Sequence, residues 1–172
     1  LEGEEDPKEI ETIRSKVHAA TRRMADLIGN LLDVNALESG HRKLACRPVD
    51  LQELAAETAL EFHPAATAKG LRIEVADNSV PCVGLGDPAT LREVAGNLVS
   101  NALKLMPAGP PARSVRIRTG LMEDQVFLEV QDEGPGFTEG DKAKAFGRFV
   151  RLSAQPTSGE NSTGLGLAIV KQ

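Results

Sequence analysis

The chain has 172 residues, of which 41% are apolar, with 16 glycines and five Phe as its only aromatics. That size suits one ordinary domain, or one domain with a helical appendage, and the apolar share excludes disorder and collagen-like fibres. Twenty Lys and Arg against 25 Asp and Glu leave a formal charge of -5, so the basic footprint and stacking aromatics of a nucleic-acid binder are both absent. Cys46 and Cys82 form no CxxC pair and no signal-like segment opens the chain, which suggests a reducing, cytoplasmic setting. No apolar run approaches the ~18 residues of a membrane span, so no membrane contact is expected of this stretch.

In chain order, Ile10, Ile13, Val17, Ala20, Met24, Leu27, Leu31 and Val34 alternate by three and four, widened by Ile28 and Leu32. This heptad seam predicts a long helix ending at Gly40, which needs a partner helix from a second copy or from an upstream segment. After a linker over 41–49, Asp50 caps a second helix with Leu51, Leu54, Thr58, Phe62 and Ala65 on one side, stopped by Gly70. Leu71, Ile73 and Val75 alternate as a half-buried strand. Asp87 and Pro88 open a third helix, periodic from Leu91 to Leu105 and closed by Pro107. Val115, Ile117 and Thr119, then Val126, Leu128 and Val130, read as antiparallel strands joined by a turn around Gly120 and Asp124. A glycine-punctuated region of weak periodicity runs from Asp132 to Gly166. The chain stops a few residues into an apolar helical start, Leu167 to Val170, so its end reads as cut rather than finished.

Three constellations carry chemistry. On the third helix, Glu93, Asn97, Asn101 and Lys104 fall within an arc of about 80° at ~100° per residue. Leu91, Val94, Leu98, Ala102 and Leu105 are the set expected to face the core. An ordinary solvated face shows the same polar stripe, but two Asn in a helix interior cost stability relative to Ala or Lys. A carboxylate, two amide oxygens and an ammonium in line suit a magnesium-bound polyphosphate. In Asp132-Glu133-Gly134-Pro135-Gly136, the Asp at a strand end can accept from an exocyclic amine while bare backbone closes over a ring, though the same residues also make a plain turn. Thr163-Gly164-Leu165-Gly166-Leu167 leads into a helix start whose unpaired amides favour phosphate. It is not a dinucleotide fingerprint, because no strand precedes it and Ile169 holds the third glycine position. Nor is it a Walker loop, because no Lys follows Gly164.

Taken in order, the motifs resemble those of sensor histidine kinases. REVAGNLVSNALK, Arg92 to Lys104, resembles the family's N box; DEGPGF, Asp132 to Phe137, its G1 box; KAFGRFVR, Lys144 to Arg151, its F box; and TGLGLAIVK, Thr163 to Lys171, its G2 box. LIGNLLDVNALESG, Leu27 to Gly40, is similar to the second helix of the dimerisation and histidine-phosphotransfer hairpin. The resemblance implies an α+β chain: a long dimerisation helix over 1–40, a linker over 41–49, and a GHKL-type two-layer α/β sandwich with a mixed sheet over 50–172, its ATP lid at about 138–162. It implies ATP and Mg²⁺ as cofactors. Asn97 would coordinate Mg²⁺, Asn101 and Lys104 would touch phosphates, and Glu93 would orient or deprotonate the attacking imidazole. Asp132 would bind the adenine amino group, with Gly134 and Gly136 admitting the base. Phe146 and Phe149 would anchor the lid, Arg151 would reach the phosphates, and Thr163, Gly164, Leu165 and Gly166 would meet the nucleotide, the two glycines acting as hinges.

The implied activity is transfer of the ATP γ-phosphoryl group to a histidine and relay to an aspartate of a response-regulator receiver domain, in a homodimer joined through the N-terminal helix. Three departures qualify it. None of His18, His41 and His63 is followed by the acidic residue and Pro of the family's H box, so the chain is expected to bind ATP without autophosphorylating alone. His18 reads as a surface residue and His63, before Pro64, as helix-end packing. Leu105 stands where the family often has an aromatic, and Gly147 where it has an acidic residue. The alternatives are a degenerate kinase serving as a dimerising scaffold, or a serine kinase or ATPase on the same fold.

Overall fold

The computed structural model describes residues 10–18, 20–21, 24–25, 28–29, 44–109, 113–150, 152–157 and 164–171. Contacts divide the chain into two compact units, Leu1–Arg42 and Lys43–Gln172. In the first, every described residue is helical, and these residues are labelled α1. Its seam residues Ile10, Ile13, Val17, Met24 and Ile28 are 47–63% exposed, so the apolar edge stays on the surface. Leu27, Leu31, Leu32, Val34 and Gly40 lie outside the described residues.

In the second unit, the stretch that reads as a linker ends in a strand, β1 (Arg47–Asp50). Asp50 then accepts from the backbone N–H groups of Gln52 at 2.8 Å and Glu53 at 3.3 Å, capping α2 (Leu51–Ala68). The helix runs through Pro64 and stops before Gly70, whose φ of 69° is a left-handed conformation that glycine adopts without steric cost. Its buried residues are Leu51, Leu54, Ala55, Thr58 and Ala66, with Phe62 half-buried. Ala65 and His63 are exposed, so neither takes the packed place that its spacing suggests; the stripe has drifted one residue by the last turn.

β2 (Arg72–Val75) follows, and then β3 (Val83–Gly86), which the sequence reading misses because Val-Gly-Leu-Gly offers few β-forming side chains. It pairs antiparallel with β1, Asp50 opposite Val83. Asp87 caps α3 (Pro88–Leu105) by accepting from Thr90 N–H at 2.9 Å, and Pro88 occupies the first turn, where its missing N–H costs nothing. β4 (Ser114–Met122) and β5 (Gln125–Gln131) form a hairpin whose turn is Glu123 and Asp124. Gly120 is therefore not in the turn but inside β4 opposite Phe127, where a Cβ would lie 2.5 Å from the ring. α4 (Glu139–Lys144) and α5 (Gly166–Lys171) complete the described elements.

β2 pairs parallel with β4 and β4 antiparallel with β5, a mixed sheet in the order β2–β4–β5 beside the β1–β3 pair. Helices α2 and α3 pack on each other and on this sheet, which makes the α+β, two-layer architecture expected from the motifs. Val115 and Ile117 point inward and are fully buried with Val99, Ala102, Leu103 and Met106 of the α3 end and with Ala55, Ala66 and Leu71. On the outer face, Arg116 pairs with Glu74 at 3.3 Å and Arg118 with Glu129 at 2.9 Å, each directly across a strand pair. Half-exposed pairs of this kind add little stability. No described helix is long and apolar enough to cross a membrane.

Candidate nucleotide-binding site

The helix α3 buries a different stripe from the one its Leu and Val spacing suggests. Ala95, Val99, Ala102 and Leu103 are buried, whereas Leu91, Val94, Leu98 and Leu105 are half-buried. The reason is angular: relative to Asn97, the buried residues sit about 140–240° round the helix, while Val94, Leu98 and Leu105 sit at about 60–100° and flank the polar stripe. Ala95 packs with Leu51, Leu54 and Cys82, and Ala102 with Val115 and Ile117 of β4. The polar stripe consequently faces away from the core, and Glu93, Asn97, Asn101 and Lys104 are all partly exposed.

Facing that stripe is the start of α5. A Cβ built on Gly166 would lie 3.2 Å from Asn97 Oδ1 and 3.3 Å from Asn101 Nδ2, so the glycine brings bare backbone against both amides. Gly164, two residues earlier, has φ 70°, and a Cβ there would lie 2.8 Å from the backbone of Phe149 and Val150. The G-L-G turn is thus wedged between the stripe and the segment that follows α4. Leu165 between the glycines is 1% exposed and its carbonyl accepts from Ile169 N–H at 3.0 Å, so it packs under the turn.

At the strand end, Asp132 Oδ1 accepts from Gly134 N–H at 2.7 Å, and a Cβ on Gly134 would lie 2.6 Å from that oxygen. Gly136 has φ 73°. The loop rests on Met106, which is fully buried and whose Cγ lies 3.8 Å from the Gly134 Cβ position. Met106 carries no motif, but its helical phase with Ala95, Val99 and Ala102 just before Pro107 marks it as a core residue.

The segment expected to be the lid holds two features that the sequence reading overlooks. Asp141, 1% exposed, accepts from Thr138 Oγ1 at 2.8 Å, Ser153 N–H at 3.0 Å and Ser153 Oγ at 3.1 Å. These hydrogen bonds, led by the Ser153 amide, lower its pKa to about 2 against the opposing effect of burial. Thr138 and Asp141 form a reciprocal capping box that opens α4, a Thr-x-x-Asp signal present in the sequence. Secondly, Gly147 makes a tight turn: its N–H reaches Lys144 O at 2.8 Å and a Cβ would lie 2.7 Å from Val150 Cγ2. Phe146 and Phe149 are 47% and 59% exposed, so neither ring is packed as an anchor, and Phe149 holds φ 56°. Arg151 and Thr163 lie outside the described residues.

Residues 86–172 match the family model described as histidine kinase-, DNA gyrase B-, and HSP90-like ATPase. The chain belongs to this ATPase family. Among its relatives, the sensor-like histidine kinase SenX3 of Mycolicibacterium smegmatis is 30% identical over 171 residues, covering 99% of this chain and 44% of that protein. The circadian input-output histidine kinase CikA of Synechococcus elongatus is 30% identical over 158 residues, covering 91% of this chain and 21% of that protein. The chain therefore spans less than half the length of these curated relatives. In structure it is similar to full-length ShkA in complex with AMPPNP, with a TM-score of 0.76, 30% identity and coverage of 92% of this chain and 32% of that one. It carries a histidine kinase-type catalytic ATPase domain with the GHKL fold.

Proposed function

We propose that this chain is the ATP-binding catalytic part of a sensor histidine kinase, with residues 1–40 as one helix of the dimerisation hairpin and 50–172 as the catalytic domain. The observation that carries the reading is the convergence of Asn97 and Asn101 on Gly166, which brings the amides of the polar stripe against backbone at the start of α5. Polar side chains meeting bare backbone at a helix start suit the phosphates of ATP. The AMPPNP bound to ShkA supports the same ligand class here. Among the described residues no cluster of three or more His, Cys, Asp or Glu could hold a metal by itself. Mg²⁺ keeps waters and takes one or two protein oxygens beside the phosphates, and Asn97 would supply an amide oxygen. When bound, the ion would neutralise phosphate charge.

Asp132 would accept from the adenine amino group, with its carboxylate already oriented by the Gly134 N–H. Asn101 and Lys104, one and two turns further along the stripe, would hold phosphate oxygens. Glu93, one turn before Asn97, would take the proton of the attacking imidazole as its nitrogen bonds to the γ-phosphorus and the bond to the ADP oxygen breaks. The phosphoryl group would then pass to the aspartate of a response-regulator receiver domain. The exposed seam Ile10, Ile13, Val17, Met24 and Ile28 supports a homodimer through the N-terminal helix.

The test is calorimetric titration of the full chain with Mg-ATP, followed by labelling of the intact protein with γ-labelled ATP. Saturable Mg-ATP binding and an acid-labile, base-stable phosphoprotein are expected. No binding would leave the scaffold reading, and an acid-stable phosphoprotein would point to serine.

A further inference from the structure

We infer that Lys69 and Thr157, neither of them in a nucleotide box, form a strap that holds the 152–157 segment on the C-terminal end of α3 and so positions the lid side of the nucleotide site. The inference rests on the nucleotide reading of that site. The last carbonyls of any helix lack intrahelical partners. α3 has no left-handed glycine cap to satisfy them, since Met106 has φ -77° and ψ 133° and Pro107 follows. Side chains from elsewhere do so instead. Lys69 Nζ, at the end of α2, donates to Leu103 O at 2.7 Å and to Thr157 Oγ1 at 3.2 Å. Thr157 donates from its N–H to Lys104 O at 3.1 Å and from Oγ1 to Met106 O at 2.7 Å. A cation and two donors therefore sit where the helix dipole is negative.

The consequence is positional. Lys104 bears the phosphate-directed ammonium and Met106 carries the loop of Asp132, and Thr157 bonds the backbone of both. The strap ties the 152–157 segment to the same turn that carries Lys104 and Met106. Lys69 and Thr157 are thus positioning residues: they need not touch the nucleotide, but loosening them frees the turn that carries Lys104 and Met106.

Stopped-flow release of methylanthraniloyl-ATP with Mg²⁺ from the full chain tests this. Lys69→Met and Thr157→Val should each speed release by roughly three- to tenfold, the size of one intramolecular hydrogen bond. The double variant should release faster than either single one but by less than the product of their effects, because the two side chains share one hydrogen bond, and Thr157→Ser should keep the wild-type rate. Should Lys69→Met fail to fold, Thr157→Val, which removes one hydroxyl from an exposed residue, still decides. Unchanged release in Thr157→Val, or multiplying effects in the double variant, overturns the strap while the nucleotide reading stands. Failure of the wild-type chain to bind the probe at all overturns both.

Discussion

Gly166 stands so close to Asn97 that a Cβ at position 166 would fall 3.2 Å from the amide oxygen. The contact is tighter than ordinary van der Waals packing, yet its partner is the end of a side chain that can yield by a few tenths of an ångström. Gly166→Ala is therefore expected to fold normally but to weaken Mg-ATP binding by about 1 kcal/mol, roughly fivefold. Calorimetric titration beside a thermal melt checks both halves; an unchanged affinity would show that this contact does not border the nucleotide.

Asn97 itself is expected to act through the cation. Asn97→Ala should weaken ATP binding by at least roughly tenfold in Mg²⁺ and by little in excess chelator, since what is lost is one oxygen for a hard cation. Equal loss in both conditions would move Asn97 from metal to phosphate.

Asp141 makes a pH prediction. Its folded pKa, about 2, lies below the ordinary carboxylate value of 3.8, because the Ser153 amide and the Thr138 hydroxyl bond its charged form. A lowered folded pKa means stability that is fully present above about pH 4 and lost as the pH falls towards 2. Urea unfolding of the wild type should show this loss, and Asp141→Asn should flatten that part of the profile. Parallel profiles for the two proteins would remove Asp141 as the origin.

Met106→Ala is expected to destabilise the fold by about 2–5 kcal/mol, as for other fully buried Met and Leu truncations. Because Met106 lies under the Gly134 position, the same variant should also weaken ATP binding under conditions where it stays folded. Denaturant titration gives the first number and calorimetry the second.

The helix starts were legible because they are local: Asp50 and Asp87 cap residues two and three positions on, within reach of the sequence pattern. The nucleotide boxes were legible as motifs, and the polar stripe of α3 as a helical arc. Of the buried stripe only Ala102 was, since Leu91, Val94, Leu98 and Leu105 outweigh Ala95 in hydrophobicity, while the packed face is set by the neighbours that α3 meets in the fold. β3 was missed because Val83 to Gly86 becomes a strand only by pairing with β1, more than thirty residues back. Gly120 has a turn residue's composition, and only the Phe127 ring opposite explains why it is in a strand.

From the sequence alone came the polar face of α3, which depends on neighbours within a few residues, and the order of the boxes, whose resemblance to sensor histidine kinases implied the class of fold. The tertiary structure decided which backbone the stripe meets and what holds the 152–157 segment. Asp141 meets Ser153 across 12 positions, Thr157 meets Lys104 across 53 and Lys69 meets Thr157 across 88. Contacts at such separations leave no period in a sequence. They form because helix ends and capped carboxylates must find hydrogen-bond partners wherever the packed chain presents them.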